Sequence, residues 1–310
     1  MTIVDDDFAD LDEHQVEATP AEPRETVAAD RPDPAPEGPV RRAAVGAARV
    51  ALLGCLVMVV WTVVVAPFAH VVTQRRLEAD LRNGLNMATV PVRLPAANGT
   101  PLAFLEIDAI GVRRVVLAGT TADVLADGPG LLRTSSVPGQ PGTSVIIGRR
   151  SLFGGDFADL DRLATGDRIT VTTGQGESEY LVTTVRTLPS TATEAFVGPE
   201  NGLLLMTSAS AFSSADRLVV EAELVGDPRP SGGRVAQAAP RPGELGLDGD
   251  RGGLAALVAW SQVWLAALAA TVWLAMRWRP RAAWVLAAPV HLALATVVVE
   301  QLALLVPAML

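Results

Sequence analysis

The sequence predicts an all-β domain of barrel or sandwich type with short helices, carried on three transmembrane α-helices. Three observations predict it. Between Leu102 and Leu224 lie seven short runs rich in Val, Ile, Leu and Thr, each bounded by Gly or Pro: LAFLEID, VRRVVL, SVIIG, RITVTT, EYLVTTVRTL, LLLMTS and RLVVEAEL. Such spacing belongs to small all-β domains. Outside that region, three segments are apolar over the roughly 20 residues that a bilayer crossing takes. The mean hydropathy of +0.32, with only 19% charged residues, is too high for a purely soluble chain of 310 residues.

Residues 1–42 form an acidic tail in which Asp5, Asp6, Asp7, Asp10, Asp12, Glu13 and Glu17 precede Ala/Pro/Glu-rich sequence. Few large apolar residues are present to offset ordering entropy, so the tail is expected to be disordered. It also carries much of the formal net charge of -9. The first span is expected at 43–68, apolar from Val50 to Phe68 and preceded by Arg41, Arg42 and Arg49. A signal peptide fits this segment poorly, because a long tail precedes it and no small-x-small cleavage site follows cleanly. At 69–101 the stretch VVTQRRLEADLRNGL has helical periodicity and reads as a stalk leaving the membrane, followed by a loop. The β domain is expected at 102–225, with brief helices at TADVLADG and FADLDRLA, and a Pro/Gly-rich linker at 226–253.

The second and third spans are expected at 254–276 and 282–308, joined by the arginine-rich connector at 277–281. Arginine on the N-terminal side of the first span and in the connector places both in the cytoplasm, and the β domain outside. The expected location is therefore the plasma membrane, multi-pass, with the N-terminus inside. Several of Trp260, Trp264, Trp273, Trp278 and Trp284 fall near span ends, where indole rings settle at the interface. His291, Glu300 and Gln301 are polar groups within the third span, Glu300 near its outer end. Contacts with another helix or with headgroups are the expected outlets.

All 25 basic residues are arginine, so no lysine is available as nucleophile or base. The single cysteine, Cys55, lies in the apolar run ALLGCLVMVVW. It excludes an intrachain disulfide, and a membrane-buried thiol has little thiolate character. No cofactor, no metal and no nucleic-acid partner are expected.

The order of motifs carries a resemblance. GPG at 128–130, the PGQPG turn at 138–142, SVIIGRRSLFGGDFADL at 144–160, LLLMTSAS at 203–210 and RLVV at 217–220 follow one another as in a sortase. The region 102–224 resembles a sortase domain along its length, most closely the actinobacterial class E-like sortases. That implies a closed β-barrel outside the membrane. It also implies three catalytic positions: a cysteine nucleophile, a histidine acid and an arginine that stabilises substrate and oxyanion.

At these positions the chain carries Ser208, Arg149 and Arg217. Thr207 matches the threonine before the family's cysteine, and Arg150 the arginine that often follows its histidine. A serine hydroxyl needs an adjacent base, and a guanidinium cannot relay a proton near neutral pH. Ser208, Thr207, Arg149 and Arg217 are therefore expected either to be positions that drifted once catalysis was lost or to form a cationic groove that binds a peptide or anion without turning it over. His14, His70 and His291 all fall outside the β domain. The expected function is a membrane-anchored, catalytically inactive sortase-like protein of the cell envelope, binding or scaffolding. Its expected partners are the membrane, a sorting-signal-like peptide or an anionic envelope ligand, and an active sortase or other envelope protein. The alternative is a transpeptidase or hydrolase with Ser208 as nucleophile, Arg217 as oxyanion stabiliser and a carboxylate such as Asp216 as helper. A third reading makes the membrane hairpin the functional part.

Overall fold

The computed structural model describes residues 52, 56–94, 96–211, 213–231, 253–277, 280–305 and 309. The acidic tail at 1–42 and most of the linker at 226–253 lie outside the described residues.

After a π-helical turn at Trp61–Val65, helix α1 spans Ala66–Asn86, with proline in its first turn, where a missing N–H costs no helical bond. Its buried residues, Ala66, His70, Gln74 and Leu81, fall on one stripe at helical spacing. The stripe lies on the β domain: Leu81 packs with Val90, Val115, Leu117 and Val124. The Gln74 side chain completes the seam, donating to the Asp127 carbonyl at 2.7 Å and accepting from the Val115 N–H at 2.9 Å. The segment expected to be a stalk is thus docked along the barrel, because its apolar stripe needs a partner.

The strands are β1 (Pro101–Ile107), β2 (Val112–Ala118), β3 (Gly130–Leu131) and β4 (Ser144–Ile147), then β5 (Arg168–Thr173), β6 (Gly176–Pro189), β7 (Gly202–Ser210) and β8 (Ser213–Leu224). They close in the order β1-β2-β3-β4-β7-β8-β6-β5, so the domain is a barrel and not a sandwich. The pairings β2–β3 and β4–β7 are parallel and the others antiparallel. Helix α2 is a single turn at Val124–Asp127 between β2 and β3. A side chain at Gly130 would run into the Gly119 carbonyl, which is why β3 comes so close to the end of β2. The helix expected at FADLDRLA is only a 3-10 turn, Leu160–Arg162: Phe157, Leu160 and Leu163 all turn into the core, and the segment wraps the barrel.

Alternation along each strand divides two cores. Leu105, Ile107, Ile146, Ile169, Leu203 and Leu205 share the larger one with Phe157. Val145, Ile147, Leu204, Met206 and Val219 form a second, on the other face of β4, β7 and β8. Strand β7 is buried on both faces, which explains its near-continuous apolar run.

Tyr180, the only tyrosine, sits in the larger core, and its hydroxyl oxygen accepts from the Gly139 N–H at 2.6 Å. Burial pushes the phenol up to about 12. The folded state thus favours the protonated form, so the stability it contributes is intact below pH 10 and lost as pH rises towards 12. Absorbance titration of phenolate should show a late transition in native protein and one near the ordinary value after denaturation. Coincident titrations would contradict this burial.

Beyond the barrel, α3 (Gly253–Arg277) and α4 (Pro280–Leu305) run against each other, with a hydrogen bond between Thr271 Oγ1 and His291 Nε2 at 3.0 Å. That polar contact between helices is the outlet expected for His291. Each helix contains a stretch long and apolar enough to cross a bilayer, Leu254–Leu274 and Val285–Ala303. Three such helices were expected; among the described residues there are two. The first candidate span loses residues 50–51 and 53–55 from the described set, and its described continuation turns polar beyond His70.

Candidate functional site

Strands β4, β7 and β8 deliver the three expected positions to one face. Ser208 on β7 pairs directly with Arg217 on β8. Arg149 follows β4, whose Ile147 pairs with Met206, and the Gly148 N–H donates to the Met206 carbonyl at 3.0 Å. Ser208 continues the Leu204–Met206 side of β7, Arg217 the Val219 side of β8 and Arg149 the Ile147 side of β4. Thr207 falls on the opposite side with Leu203 and Leu205, so alternation separates it from the other three. Asp216 is exposed, and neither hydrogen bond of the Ser208 hydroxyl goes to it.

The face is closed where the sequence suggested an open cationic groove. Arg149 is 1% exposed and Arg217 2%. The Arg149 guanidinium donates from Nε to the Leu125 carbonyl at 3.1 Å and from Nη2 to the Ala122 carbonyl at 2.9 Å. These carbonyls lie in and just before α2, and the short helix thereby holds the arginine against the barrel. The Phe153 ring packs on the guanidinium, 4.7 Å from centroid to Cζ. Burial pulls Arg149 down to about 10, with the Asp156 carboxylate opposing, so it stays cationic at neutral pH. Across the face, Arg217 lies over the Phe196 ring at 5.0 Å, and burial lowers its pKa too.

Ser208 is 1% exposed. Its hydroxyl has two carbonyl acceptors within reach, Ser210 at 2.9 Å and Ser213 at 2.5 Å, across the bulge where β7 turns into β8. A hydroxyl donating to a backbone carbonyl keeps its proton and lacks the base that nucleophilic attack requires.

His70, expected outside the domain, is brought into it. Its Nε2 faces Asp156 Oδ1 at 2.7 Å and its Nδ1 faces the Ala126 carbonyl at 3.2 Å. Asp156 Oδ1 also accepts from Arg114 Nε on β2. The α1 stripe was the available signal, since Ala66, His70 and Gln74 repeat every four residues. Both ring nitrogens of His70 are thus engaged, and Ser208 is bonded elsewhere.

Gly148 joins β4 to Arg149. A side chain there would strike the Phe157 ring, and the Phe157 N–H donates to the Arg149 carbonyl at 3.0 Å. One further residue completes the face: Met309, 1% exposed, packs against Ala122, Leu125, Leu132, Val145, Ile147 and their neighbours.

Residues 105–225 match the family model described as Sortase domain. Among solved structures, the chain is similar to a Clostridium perfringens sortase D5 transpeptidase, at 23% identity and a TM-score of 0.43, over 50% of this chain and 99% of that one. It is similar to sortase E from Streptomyces avermitilis at 27% identity and a TM-score of 0.39, over 46% and 100%. A third likeness is sortase C from Clostridium perfringens, solved with the C-terminal cell wall sorting motif, at 21% identity and a TM-score of 0.40, over 50% and 88%. No curated protein matches. Barrel and family match coincide: residues 105–225 of this chain form a domain that matches the sortase family model.

Proposed function

We propose that this chain is a membrane-anchored sortase-family protein that has lost cysteine transpeptidation and acts outside the membrane as a peptide-binding or scaffolding module. One observation carries the reading. The residue at the expected nucleophile position, Ser208, donates to backbone carbonyls, and the residue at the expected acid position, Arg149, is a buried guanidinium pinned by the Ala122 and Leu125 carbonyls. Neither can take up or release a proton near neutral pH. A serine hydrolase would need a base against Ser208, so the same hydrogen bonds weigh against it. Where the closed face opens, the guanidinium groups of Arg149 and Arg217 would suit the carbonyl oxygens of a bound peptide or a small anionic envelope ligand.

Anchoring rests on the two apolar helices and on arginine placement. Arg41, Arg42, Arg49, Arg277, Arg279 and Arg281 support a cytoplasmic N-terminus and connector, with the barrel outside. Contact of Phe153 with Trp61, and the packing of both with Val299, set the barrel beside the same ends of the first and last helices. An active sortase or another envelope protein is the partner such a module would serve.

The test is turnover of a sorting-signal peptide by wild type, Ser208→Cys, Arg149→His and the double variant. Wild type is expected to give none, the single variants little, and the double variant the most. Wild-type turnover abolished by Ser208→Ala would overturn the reading.

A further inference from the structure

The face that carries Ser208, Arg149 and Arg217 is occupied by the chain itself. Met309 lies beyond the end of α4, yet its side chain is as buried as the barrel core and belongs to the same cluster as Leu204, Met206 and Val219. Its carbonyl accepts from the Arg150 N–H at 2.9 Å, one residue from Arg149. A main-chain hydrogen bond together with an apolar side chain in a pocket is how extended peptides are recognised at a strand edge. The pocket floor is β4, β7 and β8; its walls are α2, through Ala122 and Leu125, and the 3-10 turn Thr193–Phe196, through Ala195. An unbranched thioether suits a slot shaped by so many elements.

We propose that this face is a docking site for an apolar peptide, and that the segment of this chain containing Met309 is its resident occupant, an intramolecular ligand that any external peptide must displace. The proposal rests on reading the face as the peptide site. Tethering favours the occupant: Ala303, on the last turn of α4, packs with Trp61, Ala66 and Phe153. That contact fixes the helix end beside the pocket. A short tether gives an effective concentration on the order of millimolar, so even weak intrinsic affinity fills the site. The external ligand is accordingly a peptide presenting an unbranched apolar side chain, with its carbonyl turned to the Arg150 N–H.

The experiment uses the full chain in detergent, with Cys55→Ala removing the native thiol and Ser208→Cys placing a reporter on the face. Iodoacetamide alkylation is timed with Met309 intact, with Met309→Glu, with Met309→Ala and with Met309→Leu. Burying an unpaired carboxylate expels the segment, so Met309→Glu is expected to speed alkylation by about tenfold or more. Met309→Ala should act in the same direction through lost packing, and Met309→Leu, which conserves volume, should match the parent. Separately, fluorescence anisotropy follows a labelled peptide copying residues 304–310. Saturable binding is expected in Met309→Glu and, at the same concentrations, little in the parent. Equal alkylation rates in all four proteins, each folded by near-ultraviolet circular dichroism, would overturn the proposal, as would equal peptide binding with and without Met309. Wild-type turnover would instead overturn the inactive reading and leave these rates to be judged alone.

Discussion

Asp156→Asn is expected to lower the unfolding free energy of the barrel by about 3 to 5 kcal/mol, the range for breaking a buried ion pair from one side. The Asp156 and His70 side chains are each 1% exposed and bonded to each other, and the Arg114 guanidinium pairs with the same carboxylate oxygen. Without that negative charge, both partners keep their desolvation penalty and lose its compensation. Arg149 is also buried and is stabilised in its charged form by Asp156, so the loss extends to the groove face. Thermal unfolding of the detergent-solubilised chain measures it. Replacing all three partners, His70→Leu, Asp156→Leu and Arg114→Leu, should recover part of the loss, because no partner of the carboxylate is then left unpaired. An unchanged midpoint in Asp156→Asn would mean the network contributes nothing.

Phe157→Ala is expected to cost a similar amount, about 3 to 5 kcal/mol, through a cavity in the larger core. The side chain is fully buried against Gly148, so the cavity opens directly beside the residue that leads into Arg149. Two readouts separate packing from positioning. Denaturant unfolding reports the cavity. Loosening at the groove face appears as faster amide exchange at Phe157 and Gly148, whose N–H groups bond the Arg149 and Met206 carbonyls. Phe157→Leu should restore most of the stability. A Phe157→Ala protein as stable as wild type would show that the core has collapsed into the space.

The seven strands read from sequence are all present, because each is a run whose apolar residues either alternate or, in β2, β4, β7 and β8, are continuous over two buried faces. The eighth, Gly130–Leu131, is too short for any period and is defined by its pairing with β2 and β4. The single-face placement of Ser208, Arg149 and Arg217 follows from strand alternation and register. What was not legible was closure. Arg149 looked like the lip of an open groove; it is covered because Ala122 and Leu125 offer carbonyls from a helix of one turn, a geometry with no sequence period. His70 was placed outside the β domain from its neighbours in sequence, whereas its partner Asp156 lies 86 residues away. Met309 lies just past the expected third span at 282–308, and nothing local distinguishes a side chain there that enters a barrel face.

The parallel pairing of β4 with β7 has a kinetic consequence. Ser144 meets Leu203, and β1 meets β5 with Ala103 opposite Thr173, so the barrel closes by contacts between distant parts of the chain. Loop closure must precede any gain from such contacts, which makes these topologies slow to form. Helices α3 and α4, built from local bonds, form faster once synthesised. Met309 can enter its pocket only after β4, β7 and β8 have all joined. Until those three strands have joined, the pocket that holds Met309 does not exist, so burial of this side chain waits on the slowest step of the barrel.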